Sequence, residues 1–243
     1  SAGTRSKAMT ASFQEMVQAV TRLGRGDFTS RMNLTTGDER EQVARAFNAM
    51  VPQLADRLRI RKALEVAQEI QQTLLPAGDP VVPGFEVAAR TFYSDETGGD
   101  YYDYFACGDR ECARWGFVVG DVTGHGVGAA LLMATARAFV RAVVEAPEEL
   151  HLRVLRINRL LTADTRQSGS FMSLFFLEID EAARRLRWVR AGHDPALLYD
   201  PARRRFEELG GPGLVLGVDD GFPYEQRTRP FGPPGTILLM GTD

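Results

Sequence analysis

Cysteine and histidine are scarce in this sequence, and their scarcity excludes two classes of protein. The 243 residues include only 2 cysteines and 3 histidines. Two thiols cannot form the disulfide framework of a small secreted domain, so we interpret Cys107 and Cys112 as ordinary reduced cysteines. The histidines stand far apart in the sequence, at positions 125, 151 and 193, and no histidine–cysteine cluster indicates a zinc site.

Long hydrophobic runs and an excess of positive charge are also missing. No apolar run approaches the roughly 20 residues of a membrane-spanning helix, and no signal peptide is visible. The formal net charge of −3 is unlike the basic surface of a nucleic-acid-binding protein, so we expect no nucleic-acid partner. What remains is a composition typical of folded proteins, 44% hydrophobic, with enough length for one large domain or two smaller ones.

The first 75 residues carry apolar side chains at helical spacing. Each of two predicted helices has one narrow apolar face with the three- and four-residue spacing of coiled coils: Phe13, Met16, Val20 and Leu23, then Val43, Phe47, Met50 and Leu54. A largely polar connector lies between them. Because two short helices with such faces bury little surface alone, we expect them to pair with a second copy of the chain.

This N-terminal segment, residues 1–57, resembles the HAMP signalling module. The motif GRGDF at Gly24–Phe28 resembles the end of the first HAMP helix, and GDEREQVARAFNAMVPQL at Gly37–Leu54 resembles the start and core of the second. Two features depart from the pattern: the usual early proline of the first helix is absent, and Arg40-Glu41 replaces an apolar–glycine pair. The resemblance implies a homodimeric parallel four-helix bundle in the cytoplasm, with a membrane anchor upstream of Ser1.

A second apolar face begins after this module and indicates a helical linker over residues 58–76. Its members are Ile60, Leu64, Ala67, Ile70 and Leu74, and they are out of register with the preceding face. A phase shift between two apolar faces indicates a joint that can repack, so we interpret 58–76 as a switch helix that continues the homodimer contact. A passive spacer helix is the alternative. Pro76 ends the predicted helix.

From residue 77 onward the pattern changes to short strands with two intervening helices. Strands are predicted over 85–93, 100–107 and 113–121, helices over 126–146 and 151–164, and further strands over 170–180, 184–192, 195–200, 204–209, 223–230 and 235–243. This order indicates an α+β fold of packed layers rather than a doubly wound parallel sheet.

Three aspartates at predicted strand ends indicate a metal site. They are Asp100, Asp121 and Asp243, and the residue before each is glycine or threonine. Oxygen ligands without histidine or cysteine favour Mg²⁺ or Mn²⁺ over zinc. Glycines such as Gly99 let the backbone come close, so the Val122 carbonyl is a further candidate ligand. Two such ions can activate water and hold a phosphate, which suits hydrolysis of a phosphate monoester. Any one of these aspartates alone would be better explained by a turn or a helix cap.

Five motifs follow one another in the second part of the chain: GGDYYD, GDVTGHGVGAALLM, FMSLFFLEID, AGHDPALLYD and LLMGTD. Over residues 63–243 this series resembles the PPM (PP2C-like) serine/threonine phosphatases of the bacterial SpoIIE/RsbU type. The resemblance implies an αββα sandwich with two central sheets between helical layers. It also implies two Mn²⁺ or Mg²⁺ ions held by Asp100, Asp121, Asp243 and the Val122 carbonyl, with Asp100 and Asp121 as the catalytic residues.

The final motif departs from the family pattern. In the family a glycine and a further metal aspartate follow the position of Asp243, whereas this sequence stops there, and it begins without an initiator methionine. We therefore expect both ends to be cut. We also expect the phosphatase domain, residues 77–243, to be truncated at its C terminus, and this fragment to bind metal poorly.

Several residues near the predicted ligands are candidates for accessory roles. Asp103 matches the second aspartate of GGDYYD, where it either supports the metal ligands or lies on the surface. Gly99 allows the close backbone approach. His125 stands between two glycines at the start of a helix, where it either protonates a leaving group, orders water or shapes the turn. We interpret His193 as structural and His151 as a surface residue.

Together these features predict a metal-dependent serine/threonine protein phosphatase under HAMP control. The resemblance implies a phosphorylated STAS-type anti-anti-sigma factor as its substrate. Two alternatives stay open: a pseudophosphatase that binds a partner without turnover, and a dimeric signalling adaptor.

Overall fold

The chain begins with two helices, as the apolar spacing predicts. In the computed structural model, which describes residues 2–92, 97–107 and 114–242, α1 runs over Ala2–Gly24 and α2 over Glu39–Leu74. No helix in this described part of the chain is long and apolar enough to cross a membrane.

The chain divides into two compact units, Ser1–Val66 and Ala67–Asp243. The division falls inside α2 and within the predicted linker, residues 58–76. The predicted domain bounds at residues 57/58 and 76/77 therefore stay predictions.

The first unit has a small core of its own. The buried side chains are Ala19, Met32, Leu34, Ala44, Phe47 and Val51. The connector is fixed by the Asn48 amide, which accepts from the Met32 N–H at 2.9 Å and donates to the Met32 carbonyl at 2.8 Å. These bonds satisfy backbone groups that have no helical or strand partner.

The predicted apolar faces of α1 and α2 are only partly used within one chain. Phe47 is buried, and Met16 and Leu23 pack against the core. Phe13 and Val20, in contrast, are 52% and 54% exposed, and Val43 and Met50 are exposed as well. The exposed members leave an unpartnered apolar face on the first unit.

The second unit contains two antiparallel sheets. The larger has the order β1-β2-β3-β4-β7 and the smaller the order β6-β5-β8. Their bounds are β1 Tyr101–Cys107, β2 Arg114–Val122, β3 Met172–Asp180, β4 Arg185–Ala191, β5 Ala196–Asp200, β6 Arg205–Leu209, β7 Gln226–Pro230 and β8 Ile237–Leu239. The predicted turn at Gly108 and the cysteine Cys112 lie outside the described residues.

Helices α3, Val127–Val143, and α4, Leu150–Thr165, cover one face of the five-stranded sheet. Strand β3 shows the layering, since Leu174 and Phe176 face the core beneath the helices. Phe175 and Leu177 face the second core, which lies between the two sheets. A strand that is buried on both faces has a nearly continuous apolar sequence, as β3 does. The α+β prediction is confirmed, and the described residues of the second unit form layers of helix, sheet and sheet.

One predicted strand is wrong. Residues 85–92 form no strand, and only an isolated bridge joins Val82 to Phe85. Phe85 and Val87 do pack on the second core, whereas Phe92 is 88% exposed. The alternation of this segment thus reflects partial burial of its first residues, which does not require a hydrogen-bonded neighbour.

A buried ion cluster lies beneath α4. Glu178 of β3 is fully buried and accepts a hydrogen bond from Arg153 of α4. Arg187 of β4 places Nη2 3.0 Å from the other Glu178 oxygen, although not in hydrogen-bond geometry. Cys107 lies at the same layer, where burial raises the pKa of its thiol to about 11 and keeps it protonated.

Candidate metal centre

Asp100 and Asp121 are brought side by side by the pairing of β1 with β2. Tyr101 is the partner of Gly120, and the ladder continues past it, because the Val122 N–H donates to the Gly99 carbonyl at 3.3 Å. Asp100, one residue before β1, therefore stands opposite Asp121 near the end of β2. Residues opposite each other in an antiparallel pair have Cβ atoms roughly 5 Å apart.

Gly99 makes this edge a close-fitting oxygen site. A Cβ atom on Gly99 would lie 2.4 Å from the Val122 carbonyl oxygen and 3.0 Å from Asp121 Oδ1. No side chain fits in that space, so glycine alone allows these two oxygens to approach the backbone. Two carboxylates and a carbonyl suit Mg²⁺ or Mn²⁺ in number and type, with water and further ligands completing the shell.

The chain leaves β2 through a well-fixed turn. The Thr123 N–H and hydroxyl both lie within hydrogen-bond distance of the Phe171 carbonyl, at 3.0 and 3.2 Å. Gly124 and Gly126 follow with φ of 92° and 77°, values that favour glycine. His125 between them is exposed. Its predicted role with a leaving group or water stays a prediction.

Asp103 is not a surface residue, so that alternative is wrong. The residue is 2% exposed, and its carboxylate accepts hydrogen bonds from Arg141 of α3 at 2.7 and 2.8 Å. The Tyr101 hydroxyl donates to it at 3.0 Å. These bonds link β1 to α3. Alternation along the strand places Asp103 on the helix-facing side and Asp100 on the opposite side. Support of the metal ligands by Asp103 stays a prediction.

The third predicted aspartate, Asp243, lies outside the described residues. Among the residues described, no group of three or more His, Cys, Asp or Glu side chains is arranged to hold a metal ion. In the segment just before it, the carbonyl oxygen of Gly241 lies 3.1 Å from Nε2 of His193. Of the four predicted ligand residues, the fold brings three close together, Asp100, Asp121 and Val122, and the place of Asp243 stays a prediction.

Gln71 is a neighbour of the site that sequence analysis missed. It lies near the C-terminal end of α2, is 3% exposed, and donates from Nε2 to the Gly98 carbonyl at 2.6 Å. Its Oε1 also accepts from the Gly98 N–H at 3.4 Å. The pattern gave no signal for it, because a glutamine in an amphipathic helix is expected on the polar side.

Comparison with known families identifies two parts of the sequence. The family model of Stage II sporulation protein E (SpoIIE) matches residues 112–243, and that of the HAMP domain matches residues 6–56.

Two curated relatives come from Bacillus subtilis (strain 168). Phosphoserine phosphatase RsbU is 26% identical over 181 residues, which are 74% of this chain and 52% of that protein. Phosphoserine phosphatase RsbP is 27% identical over 188 residues, which are 75% of this chain and 45% of that protein. The chain therefore spans about half the length of these relatives.

A solved structure supports the fold independently. The SiaA-PP2C domain of Pseudomonas aeruginosa matches with a TM-score of 0.59 at 22% identity, covering 76% of this chain and 72% of that one. The similarity shows the PP2C-like arrangement of the two sheets. Since the SpoIIE model covers more than half of the sequence, this chain belongs to the SpoIIE family and carries a HAMP domain at its N-terminal end.

Proposed function

We propose that this chain is a metal-dependent protein serine/threonine phosphatase. The observation that supports the proposal is at the end of β2, where Asp100 stands opposite Asp121 and the lack of a side chain on Gly99 leaves room for the Val122 carbonyl oxygen. Family membership supports the same activity, because the two Bacillus relatives are named phosphoserine phosphatases. Asp243 is a further proposed ligand.

The chemistry follows from the charge of the reactants. A phosphate monoester dianion repels a nucleophile, and its hydrolysis in water is among the slowest of biological reactions. Divalent cations, when bound, neutralise phosphoryl oxygens and lower the pKa of the attacking water. In this proposal the residues of the chain determine where the positive charge of the cations is held. Asp100 and Asp121 lie opposite each other across the β1–β2 pairing. The bonds of Thr123 to Phe171 fix the end of the strand.

The proposed substrate is a phosphorylated STAS-type anti-anti-sigma factor, and Mn²⁺ or Mg²⁺ is the proposed cofactor. The test measures phosphate release from such a phosphoprotein and from an aryl phosphate, in the full-length protein. Release that a chelator removes and that added Mn²⁺ or Mg²⁺ restores supports the proposal. Metal binding without any release from either substrate contradicts it and favours a partner-binding pseudophosphatase.

We further propose that the protein is a homodimer joined through the HAMP domain and the helix that follows. The exposed side chains of Phe13, Val20, Val43 and Met50 support this, because a second copy would cover them. Sedimentation measurements that find only monomers at micromolar concentration contradict this part of the proposal.

The same helix offers a route by which HAMP signals reach the site. Helix α2 is continuous from Glu39 to Leu74, and Gln71 in its last turns binds both backbone groups of Gly98. Gly98 precedes Gly99 and Asp100 directly. A rotation or shift of the helix therefore moves the backbone that carries a proposed metal ligand, which supports the switch interpretation over a passive spacer.

Replacement of Gln71 by alanine is expected to loosen this contact. We expect a roughly 10-fold rise in the Mn²⁺ concentration needed for half-maximal phosphate release, the effect typical of losing a group that orients a metal ligand. The matched control is Gln72→Ala, since Gln72 is exposed on the same helical turn. Equal Mn²⁺ requirements for the two variants would argue against coupling through Gln71.

A further inference from the structure

His193 joins the two sheets beside the proposed metal site. The side chain is 5% exposed. Its Nδ1 lies 2.7 Å from the Ser173 hydroxyl of β3, in the five-stranded sheet. Its Nε2 lies 3.1 Å from the carbonyl oxygen of Gly241, which follows β8 of the three-stranded sheet. One imidazole thus makes a polar bridge between the two sheets, beside the apolar core that lies between them.

The hydrogen-bond partners determine the tautomer of this ring. A carbonyl oxygen only accepts, so Nε2 of His193 carries the hydrogen and donates to Gly241. Nδ1 is then the acceptor, and the Ser173 hydroxyl donates to it. Burial lowers the pKa of His193 and favours this neutral form.

The backbone that carries His193 is itself held firmly. The Arg190 guanidinium donates through Nε to the His193 carbonyl and through Nη1 to the Gly211 carbonyl at 3.0 Å. Gly192 has φ of 69°, and a Cβ atom there would lie 2.3 Å from Val215 Cγ1. The backbone at His193 is therefore fixed, which limits the positions that the imidazole ring can take.

Both residues that form hydrogen bonds with the His193 ring are neighbours of proposed metal ligands, one across the sheet and one along the chain. Ser173 is the direct cross-strand partner of Asp121. Gly241 precedes Asp243 by two residues, so a fixed Gly241 limits where the carboxylate of Asp243 can reach. Asp100 is also near enough for its charge to act on the ring.

We propose that His193 is a positioning residue that clamps the segment after β8 to the end of the five-stranded sheet, next to Asp121. By this clamp the protein holds the segment leading to Asp243 within reach of the divalent cations. The inference rests on the proposed metal-dependent function. It gives His193 a role in assembling the ligand set, which a histidine that only shapes a turn would not have.

The test compares three variants of the full-length protein by calorimetric Mn²⁺ titration of the metal-free form. His193→Ala removes both bonds and is expected to weaken Mn²⁺ binding roughly 10- to 100-fold, as for other groups that orient metal ligands. His193→Gln offers one donor and one acceptor and is expected to recover most of the affinity. Ser173→Ala is expected to have an intermediate effect, and adding it to His193→Ala is expected to cost nothing more.

Two further readouts separate positioning from general stability. In the metal-free protein, His193→Ala is expected to speed hydrogen exchange in the peptide covering residues 237–242. Phosphate release by the variant is expected to need more Mn²⁺ but to reach a maximal rate within about threefold of wild type once Mn²⁺ is saturating. His151→Ala is the matched control, because His151 is a partly buried histidine of α4 in the same unit.

The outcomes are distinct. A folded His193→Ala protein that binds Mn²⁺ as tightly as wild type overturns the clamp and leaves the phosphatase proposal intact. A wild-type protein that binds no Mn²⁺ or Mg²⁺ overturns the phosphatase proposal and the clamp with it. Equal weakening by His151→Ala and His193→Ala would show a loss of overall stability, and that too overturns the clamp.

Discussion

Asp121→Asn is expected to lower metal-dependent phosphate release by roughly 10³-fold, measured at the metal concentration that the wild-type protein requires. Asparagine keeps the shape of aspartate but removes the charge that attracts a divalent cation. Each factor of ten corresponds to 1.36 kcal/mol, so this loss represents about 4 kcal/mol of transition-state stabilisation. A loss of this size is expected when a carboxylate that holds divalent cations is removed.

A second strand-end aspartate provides the control for this measurement. Asp200 ends β5 and accepts hydrogen bonds from the Ala202 and Arg203 N–H groups at 2.9 and 3.2 Å, the geometry of an ordinary turn. Asparagine can accept the same bonds, so Asp200→Asn is expected to change phosphate release by less than about twofold. If Asp121→Asn is equally active, with its fold confirmed by circular dichroism, the proposed metal site is wrong.

The contrast between these two aspartates explains why the centre of the site could be predicted from sequence. Both end a strand, and neither is informative alone. Asp121 and Asp100 stand out in the sequence because each follows glycine and belongs to an ordered series of motifs. The fold supplied the reason for that pattern, since Gly99 lies against the Val122 carbonyl where no Cβ atom fits. A glycine next to an aspartate at a strand end can be recognised from the local sequence alone.

Contacts between distant segments cannot be recognised in that way. Asp103 is paired with Arg141, 38 positions away on another element, so its burial could not be distinguished from surface exposure beforehand. Gln71 belongs to the polar side of α2 by its chemistry, yet it is buried against Gly98. Residues 85–92 show the reverse case, in which an alternating pattern predicts pairing and the partner strand is absent from the described residues. The periodicity of apolar residues indicates which side chains are buried. Whether a segment pairs as a strand depends on which other segment lies beside it.

The ion cluster beneath α4 is a further feature of this kind, and it gives the largest expected effect on stability. Arg153→Met is expected to lower the free energy of unfolding by about 3–5 kcal/mol, because it leaves the Glu178 carboxylate buried without its main partner. Arg153 is 2% and Glu178 0% exposed, so solvent cannot replace the lost contact. Arg187 remains near Glu178 but is not in hydrogen-bond geometry with it.

Chemical denaturation of the metal-free protein measures this effect, and the same helix offers a matched control. Arg156 of α4 lies 3.9 Å from Glu148 with its side chain 57% exposed, so Arg156→Met is expected to cost less than about 1 kcal/mol. Replacing both partners, Arg153→Met with Glu178→Leu, is expected to recover part of the loss, since no unpaired charge then remains in the core. An Arg153→Met protein as stable as Arg156→Met would mean that the cluster is not the ion pair that joins α4 to the sheet.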